Sequence, residues 1–484
     1  MNADNDATSP GRLVIRADDP NLTPYAGLAI VGALARRTRL VELIDAELAV
    51  VRTARAVKRR RRGLSAGALV MSLAECQIAG AECFDDVQDV RGDRAGAVLR
   101  AVADTPSAPT ARQLARRFRR SHIRAIERAQ ARVAERLDRE AGREVGEDVT
   151  FDLDATDTEV YGRRKEGAAR GHNGALGYCS YVVTWAQRGR SLTSELVGAN
   201  RARISSKESA AMIARAAKLL PAGHGPVATR VDSGFYSAEL MNEMREQQVR
   251  FSMSAPRTTT MWRALREIPQ DAWADATAMR GAQVAETSFT PTGFGHEPLR
   301  LVVRRVTVSA AELRAGNPRA RRRSTIPADQ LQMVLDGRRD STFAYSFIVT
   351  DIPAEQKTTT DVEHFHRQRA QIEERFKDAK LGQPLRHLPS ANLDANRLWL
   401  TCCLLALNIT ALVCDISPAA GACPDAPDDT PLRRHAKALR RILFNVPARI
   451  THSARQTILH LSENFRYLDA FTATYHAALA RPDP

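Results

Sequence analysis

The 484-residue chain is 44% hydrophobic and 26% charged, as expected of a soluble globular protein with room for several domains. Its formal net charge of +15 predicts a polyanionic partner, with an anionic membrane surface as the competing explanation. We expect no membrane span, because the longest apolar run, residues 398–413, is short and interrupted by polar side chains. The N-terminus is acidic and polar, unlike a signal peptide.

The seven cysteines are scattered along the chain and none forms a CxxC pair, which argues against a zinc site. We interpret them as small thiols, buried or on the surface, in a reducing compartment. The expected compartment is therefore the cytoplasm.

Residues 23–145 are predicted to form a helical region that binds DNA, after a polar, disordered tail at 1–22. Apolar residues in this region recur at spacings of three and four, which is typical of helices that pack on a core. No acid lies between Glu47 and Glu75, whereas seven basic residues do, and a second basic cluster follows residue 110. The side chains expected to contact DNA phosphates here are Arg59, Arg60, Arg61, Arg116 and Arg117.

From residue 146 to 256 the hydrophobic period changes to that of strands. The predicted strands are 149–154, 178–185, 191–197, 226–232 and 249–254, and the predicted helices are 205–220 and 237–247. The order β-β-β-α-β-α-β is that of a ribonuclease-H-like domain, in which a mixed β-sheet carries helices on both faces. Asp154 and Asp232 are both expected where a strand of this α/β core ends.

The second half of the chain is predicted to interrupt and then complete this core. A mostly β insertion occupies 257–342, and the core resumes at 343–415 with a strand and then a long helix from about residue 360. A linker rich in Pro and Asp spans 416–431. The last region, 432–484, is basic and predicted to be helical.

The long helix carries a third acid in the middle of a polar stripe about 21 Å long. At about 100° per residue, five polar side chains project from one face. They are His366, Arg369, Glu373, Lys377 and Lys380. A separate apolar stripe, suited to packing on a sheet, consists of Phe365, Ile372, Phe376 and Ala379. The plain alternative is a solvated charged face with an i,i+4 pair between Glu373 and Lys377.

Three carboxylates from two strands and one helix suit a divalent metal centre. Mg²⁺ takes oxygen ligands, and two ions about 3.5–4 Å apart can activate the attacking oxygen and stabilise the leaving oxygen in phosphodiester chemistry. We therefore expect Asp154, Asp232 and Glu373 to share two Mg²⁺ ions, with Mn²⁺ as a substitute. Asp152 lies on the same strand face as Asp154 and is the alternative first ligand.

Phosphate contacts are expected from the basic side chains beside Glu373. Arg369, Lys377 and Lys380 would hold the DNA phosphates that flank the cut. Arg230 shares a strand face with Asp232, and two readings of it stay open, a phosphate contact and a surface role.

At these residues the sequence resembles the DDE transposases of bacterial insertion sequences, in particular the subgroup with a Tyr-x2-Arg-x3-Glu-x6-Lys signature. The spacing is kept here by His366, Arg369, Glu373 and Lys380. The family usually has tyrosine at the position of His366, whose imidazole offers a weaker form of base stacking or phosphate binding. The Asp-x-Thr at Asp154 and the Asp-Ser-Gly-Phe at Asp232 match the first and second acid motifs, and the resemblance covers about residues 146–413.

The resemblance implies a ribonuclease-H-like core with a β insertion before the final acidic helix, and Asp154, Asp232 and Glu373 as the catalytic acids. It implies cut-and-paste transposition, in which a homodimer cleaves double-stranded DNA at terminal inverted repeats and joins the ends to target DNA. Members of this group often cut through a DNA hairpin with a flipped base stacked on an aromatic of the insertion, where this sequence has Trp262 and Trp273.

The expected location is the bacterial cytoplasm, in association with the nucleoid and without a membrane partner. Two alternative functions stay open at this point. One is a transposase-derived DNA-binding protein that no longer cuts, and the other is a plain ribonuclease-H-like nuclease.

Overall fold

The computed structural model describes residues 15–51, 57, 63–143, 146–162, 164–171, 174–200, 204–315, 323–417 and 435–480. The predicted phosphate contacts Arg59, Arg60 and Arg61 lie outside these residues, as do most of the predicted linker at 416–431 and the first 14 residues of the predicted tail.

Helices form most of the described chain before residue 143, after a two-residue strand. These elements are β1 (Leu22–Thr23), α1 (Leu28–Thr38), α2 (Leu40–Ala49), α3 (Ala66–Ala79), α4 (Val87–Gly92), α5 (Ala108–Ala115) and α6 (Arg120–Glu140). Serine side chains cap two of the helices, because Ser65 accepts a hydrogen bond from the N–H of Ala68 before α3 and Ser107 accepts one from the N–H of Thr110 before α5. The buried faces of α1, α3 and α6 join one apolar core.

The central part of the chain forms a mixed sheet. Its elements are β2 (Val149–Glu159), β3 (Ala169–Arg170), β4 (Leu176–Trp185), β5 (Arg190–Gly198), α7 (Ser206–Ala217), β6 (Val227–Val231), α8 (Ala238–Glu246) and β7 (Arg250–Ala255). β2 pairs antiparallel with β4 and parallel with β6, and β6 pairs parallel with β7. β5 lies outside β4, so the strands follow the order β5-β4-β2-β6-β7.

The segment between β7 and the acidic helix adds strands to the same sheet. Its elements are α9 (Thr259–Arg266), β8 (Ala274–Asp275), β9 (Ala282–Phe289), β10 (Leu299–Ser309), α10 (Ala310–Arg314), α11 (Ala328–Leu335) and β11 (Ser341–Thr350). β11 pairs antiparallel with β7 and with β10, which gives the sheet ten strands among the described residues. The insertion is therefore continuous with the central sheet, and it also contains helices.

The long helix predicted from about residue 360 is divided in two. α12 (Thr359–Arg367) and α13 (Gln371–Leu381) are separated by a 3-10 turn at Gln368–Ala370. α12 packs on β7, β9, β10 and β11, and α13 packs on β2. The turn therefore lies where the chain passes from the insertion strands to the central strand, and it interrupts the regular stripe expected from a straight helix.

A buried apolar helix, α14 (Leu393–Ile416), follows. By length and composition it could cross a membrane, but 83% of its most apolar window is buried inside the protein. It packs against α3, α6 and β5, and Trp399 contacts Phe84 with ring centroids 4.8 Å apart. The apolar run of the sequence thus forms the centre of a protein core.

The C-terminal region contains a β-hairpin between helices. Its elements are α15 (Ala436–Leu439), which continues as a π-helical turn (Arg440–Phe444), β12 (Ala448–Ser453), β13 (Gln456–His460) and α16 (Leu468–Leu479). The helical prediction for 432–484 is therefore wrong at 448–460. β-branched residues favour strands there, and the spacing of basic side chains that suggested a helix carries no information on burial.

Candidate active site

Asp154 lies next to Asp232 because their strands are neighbours. Leu153 of β2 is the register partner of Val231 of β6, and each acid is the residue that follows. Asp154 does not end its strand, contrary to the prediction, because β2 continues to Glu159 along its antiparallel partner β4. The parallel ladder ends just before the two acids, so both carboxylates lie at its end.

Each of the two acids also bonds to the local backbone. Asp154 accepts a hydrogen bond from the N–H of Ala155 at 2.7 Å, and Asp232 accepts one from the N–H of Gly234 in the turn that follows β6. Burial raises the pKa of Asp154, the hydrogen bond from Ala155 and the positive charge of Arg369 lower it, and the negative charge of Asp232 raises it. A cation placed between the two carboxylates would relieve both unfavourable effects.

Arg369 connects Asp154 to Glu373. Its Nη1 donates to Asp154 Oδ2 at 3.0 Å, and its Nη2 lies 4.0 Å from Glu373 Oε1. Arg369 belongs to the 3-10 turn that precedes α13, and Glu373 lies in the first turn of α13. The Glu373 side chain is 69% exposed, so it faces solvent on the side of the sheet where Asp154 lies.

The three acids are not close enough together in this structure to bind one metal ion jointly. Among the described residues, no group of three His, Cys, Asp or Glu side chains is close enough to hold a metal ion. The donors nevertheless fit a hard divalent ion, since all three are carboxylates and the guanidinium of Arg369 already lies between two of them. The expectation that Asp154, Asp232 and Glu373 share ions stays a prediction.

Asp152 forms a buried ion pair with Arg230. Arg230 donates from Nε to Asp152 Oδ1 at 2.6 Å and from Nη2 to Asp152 Oδ2 at 2.7 Å, and both residues are 2% exposed. Arg230 also donates to the carbonyl of Phe365 at 2.9 Å, which ties α12 to the sheet. Both oxygens of Asp152 are thus held by a guanidinium, which favours Asp154 as the first ligand, and Arg230 is neither on the surface nor free to bind phosphate.

His366 is buried against the sheet, which contradicts its predicted place on a DNA-facing stripe. Its two ring nitrogens lie 2.8 Å from the hydroxyls of Ser252 and Ser254, both on β7. Burial, followed by the positive charges of neighbouring arginines, lowers the pKa of His366 to about 3, so the ring is neutral. The end of α12 packs on β7, and this packing turns His366 away from Glu373.

The predicted phosphate-binding lysines differ from each other. Lys380 is half-buried and donates to the carbonyl of Asp157 at 2.9 Å, so it fixes α13 to β2. Lys377 is exposed and lies 3.4 Å from Glu374, which is its partner in place of the expected Glu373. Lys377 is therefore accessible to DNA, whereas Lys380 is already engaged by the protein.

The two arginines at the end of α5 that are predicted to contact phosphate also differ from each other in exposure. Arg116 is exposed. Arg117 is partly buried and donates to the carbonyl of Val57 at 3.5 Å. Of the two, Arg116 is the one whose side chain is open to a phosphate.

The sequence matches the profile of a family described as "Transposase DDE domain group 1" over residues 7–320 and 331–482. The chain belongs to this transposase family. The match spans nearly the whole chain, so it includes the N-terminal helices and the C-terminal hairpin as well as the three acids. DDE transposase domains generally use divalent metal ions.

The transposase is also similar to a solved structure, a cryo-EM structure of the piggyBac transposase in a synaptic complex with hairpin DNA. The sequences are 10% identical, the TM-score is 0.41, and the alignment covers 96% of this chain and 83% of that chain. No curated protein matches the sequence.

Two serines of the transposase that support the site were missed at the sequence level. Ser252 and Ser254 hold both nitrogens of His366. The signal was present, because Phe251-Ser-Met-Ser254 alternates apolar and polar residues and so places both hydroxyls on one strand face. Their partner could not be read from this pattern, since it comes from a helix more than a hundred residues later.

Proposed function

We propose that this transposase cleaves DNA at the ends of a mobile element and joins the freed ends to target DNA, with Asp154, Asp232 and Glu373 as catalytic acids. The observation that carries the proposal is the position of Arg369, which contacts Asp154 and lies 4.0 Å from Glu373, while Asp232 follows the strand beside Asp154. Two of these acids, Asp154 and Glu373, are far apart in sequence and lie on either side of one guanidinium, which supports the proposal.

We propose a ribonuclease-H-like core as the finer description of the mixed sheet. The order β5-β4-β2-β6-β7 supports it, because three antiparallel strands are followed by two parallel ones, each reached through a helix. Parallel neighbours bring their carboxyl ends to one edge of a sheet, which is where ligands bind in open α/β sheets. This topology accounts for two acids from adjacent strands and a third from a helix.

The carboxylates suit Mg²⁺, with Mn²⁺ as a substitute, since these ions prefer oxygen ligands. Two bound ions would supply an activated attacking oxygen and would stabilise the charge on the leaving oxygen. Asp154 and Asp232 would hold the ions from the sheet and Glu373 from α13. Arg369 would then turn from the carboxylates to a DNA phosphate, because its positive charge is no longer needed between them.

Double-stranded DNA, as element ends and as target, is the proposed substrate. The net charge of +15 and the exposed basic side chains Arg116 and Lys377 support it. We further propose that the N-terminal helices bind the terminal repeats, that the transposase acts as a homodimer, and that it works at the nucleoid in the bacterial cytoplasm.

The test compares two neighbouring glutamates on α13. Glu373→Gln keeps the size of the side chain and removes the charge that would hold metal, so the variant should fold and bind element ends but neither nick nor join them. Glu374→Gln is the matched control, because Glu374 pairs with Lys377 on the surface. It should keep most activity.

The same assay separates the alternatives. Cleavage without joining in the wild type would indicate a plain nuclease, and binding without cleavage would indicate a protein that only binds DNA. Full strand transfer by Glu373→Gln in Mg²⁺, or equal damage from both changes, would refute the assignment of Glu373.

A further inference from the structure

The hairpin of β12 and β13 ends in a turn that its residues adopt only under strain. Ser453 is the register partner of Gln456, so the loop consists of Ala454 and Arg455 alone. Their φ angles are +47° and +66°, which places both in the left-handed region. A two-residue loop with two positive φ angles is a type I′ turn, and Asn-Gly is the sequence that suits it.

Positive φ angles are sterically unfavourable for both residues. Ala454 and Arg455 carry a Cβ that crowds the following carbonyl when φ is positive, and neither has the short polar side chain that lets Asn tolerate it. Backbone strain of this kind is more frequent at functional sites than elsewhere. An arginine at the tip, where glycine would be relaxed, points to a function for its guanidinium.

The hairpin is exposed and has no acidic residue. The sequence contains no Asp or Glu from 430 to 462, and the exposed residues of the hairpin include His452, Arg455 and Thr457. Within the described chain, Arg449 lies 3.5 Å from Asp19, whereas Arg455 has no ion pair. The charge at the tip is therefore available to an external anion.

We propose that this hairpin contacts duplex DNA, with Arg455 placed on a phosphate by the strained turn. A two-stranded β-ribbon has the width to enter the major groove, and an exposed arginine recognises phosphate. One side of β12 is fixed by β1, so the hairpin is anchored at its base and presents its tip. The inference rests on the proposed function only in taking DNA as the substrate.

The experiment replaces the turn by the sequence that fits it. In the full chain, Ala454→Asn combined with Arg455→Gly should raise the thermal midpoint of unfolding, because both residues then accept positive φ. The same variant should bind a mixed-sequence duplex several-fold more weakly in EDTA. The slope of log affinity against log salt should fall by about one, because one phosphate contact is lost.

Two controls isolate the tip. Ala454→Asn alone keeps Arg455 and should bind DNA as the wild type does. Arg338→Asn removes one charge from an exposed arginine elsewhere, and it should change binding much less. Unchanged affinity and slope in the double variant, or an equal loss in Arg338→Asn, would overturn the proposal, as would lost dimerisation with intact DNA binding, which would assign the hairpin to a protein interface.

Binding in EDTA does not depend on cleavage, so this result is separate from that of the Glu373 test. An inactive enzyme whose binding depends on Arg455 would keep the hairpin proposal and refute the catalytic one. Normal strand transfer, together with unchanged DNA binding by the double variant, would keep the catalytic proposal and refute the hairpin proposal.

Discussion

The guanidinium of Arg369 donates a hydrogen bond to Asp154 at 3.0 Å and lies 4.0 Å from Glu373, in the position where a bound cation would neutralise both acids. Arg369 follows α12, which is fixed to the sheet by Arg230 and His366, so the turn that carries it is held in place. If Asp154 and Glu373 are metal ligands, as proposed, a side chain in the space between them would compete with the metal.

Arg369→Ala should therefore bind Mn²⁺ several-fold more tightly than the wild type in the absence of DNA. The acids lose their internal counter-charge, and an ion replaces it. Titration followed by the electron paramagnetic resonance of free Mn²⁺ measures this affinity. Cleavage should fall at the same time, because the proposed contact of Arg369 with a DNA phosphate is lost. Equal or weaker Mn²⁺ binding by the variant would show that Arg369 does not compete with metal.

Arg230→Met should destabilise the fold by about 3–5 kcal/mol, because it leaves Asp152 buried without its partner. Chemical denaturation measures the free energy of unfolding. Combining Arg230→Met with Asp152→Leu should recover most of the loss, since two apolar side chains replace the whole pair. A cost below about 1 kcal/mol for the single change, the value typical of an exposed pair, would contradict the buried role.

The lowered pKa of His366 predicts that the stability of the protein decreases as the pH falls below 6.5. Its pKa is about 3 in the folded protein and 6.5 as the ordinary value, so below pH 6.5 the unfolded state binds a proton that the folded state does not. Above pH 6.5 the titration of His366 therefore does not lower the free energy of unfolding. As the pH falls from 6.5 toward 3, it lowers that free energy by about 1.4 kcal/mol per pH unit.

His366→Gln keeps a polar side chain between the two serines and removes this titration. Urea unfolding from pH 7.5 to pH 5 should therefore show a shallower loss of stability in the variant than in the wild type. Parallel curves for the two proteins would mean that His366 titrates normally in the folded state, and the buried position would be wrong.

The order of the central elements could be predicted from the sequence because each has a strong local signal. The strands alternate apolar and polar residues, and Ser205 with Glu208 forms a capping box at the start of α7, which fixes the beginning of that helix. The observed order matches the predicted β-β-β-α-β-α-β except for the additional two-residue strand β3, and the agreement rests on these local patterns.

The site was less predictable because its details depend on contacts between distant segments. The spacing of His366, Arg369, Glu373 and Lys380 placed all four on one helical face, but the 3-10 turn at Gln368–Ala370 and the packing on β7 bury the histidine. The hairpin at 448–460 differs from the predicted helix because the spacing of the basic residues favours a helix, whereas the β-branched residues between them favour strands.

The most direct test of the metal-binding claim is the anomalous diffraction of Mn²⁺ in crystals of the transposase bound to element-end DNA. We predict Mn²⁺ coordinated by carboxylate oxygens of Asp154 and Asp232, with Glu373 completing the site at about 2.0–2.6 Å and Arg369 moved to a phosphate. Mn²⁺ held by other residues, or bound at Asp154 and Asp232 with Glu373 turned away, would contradict it.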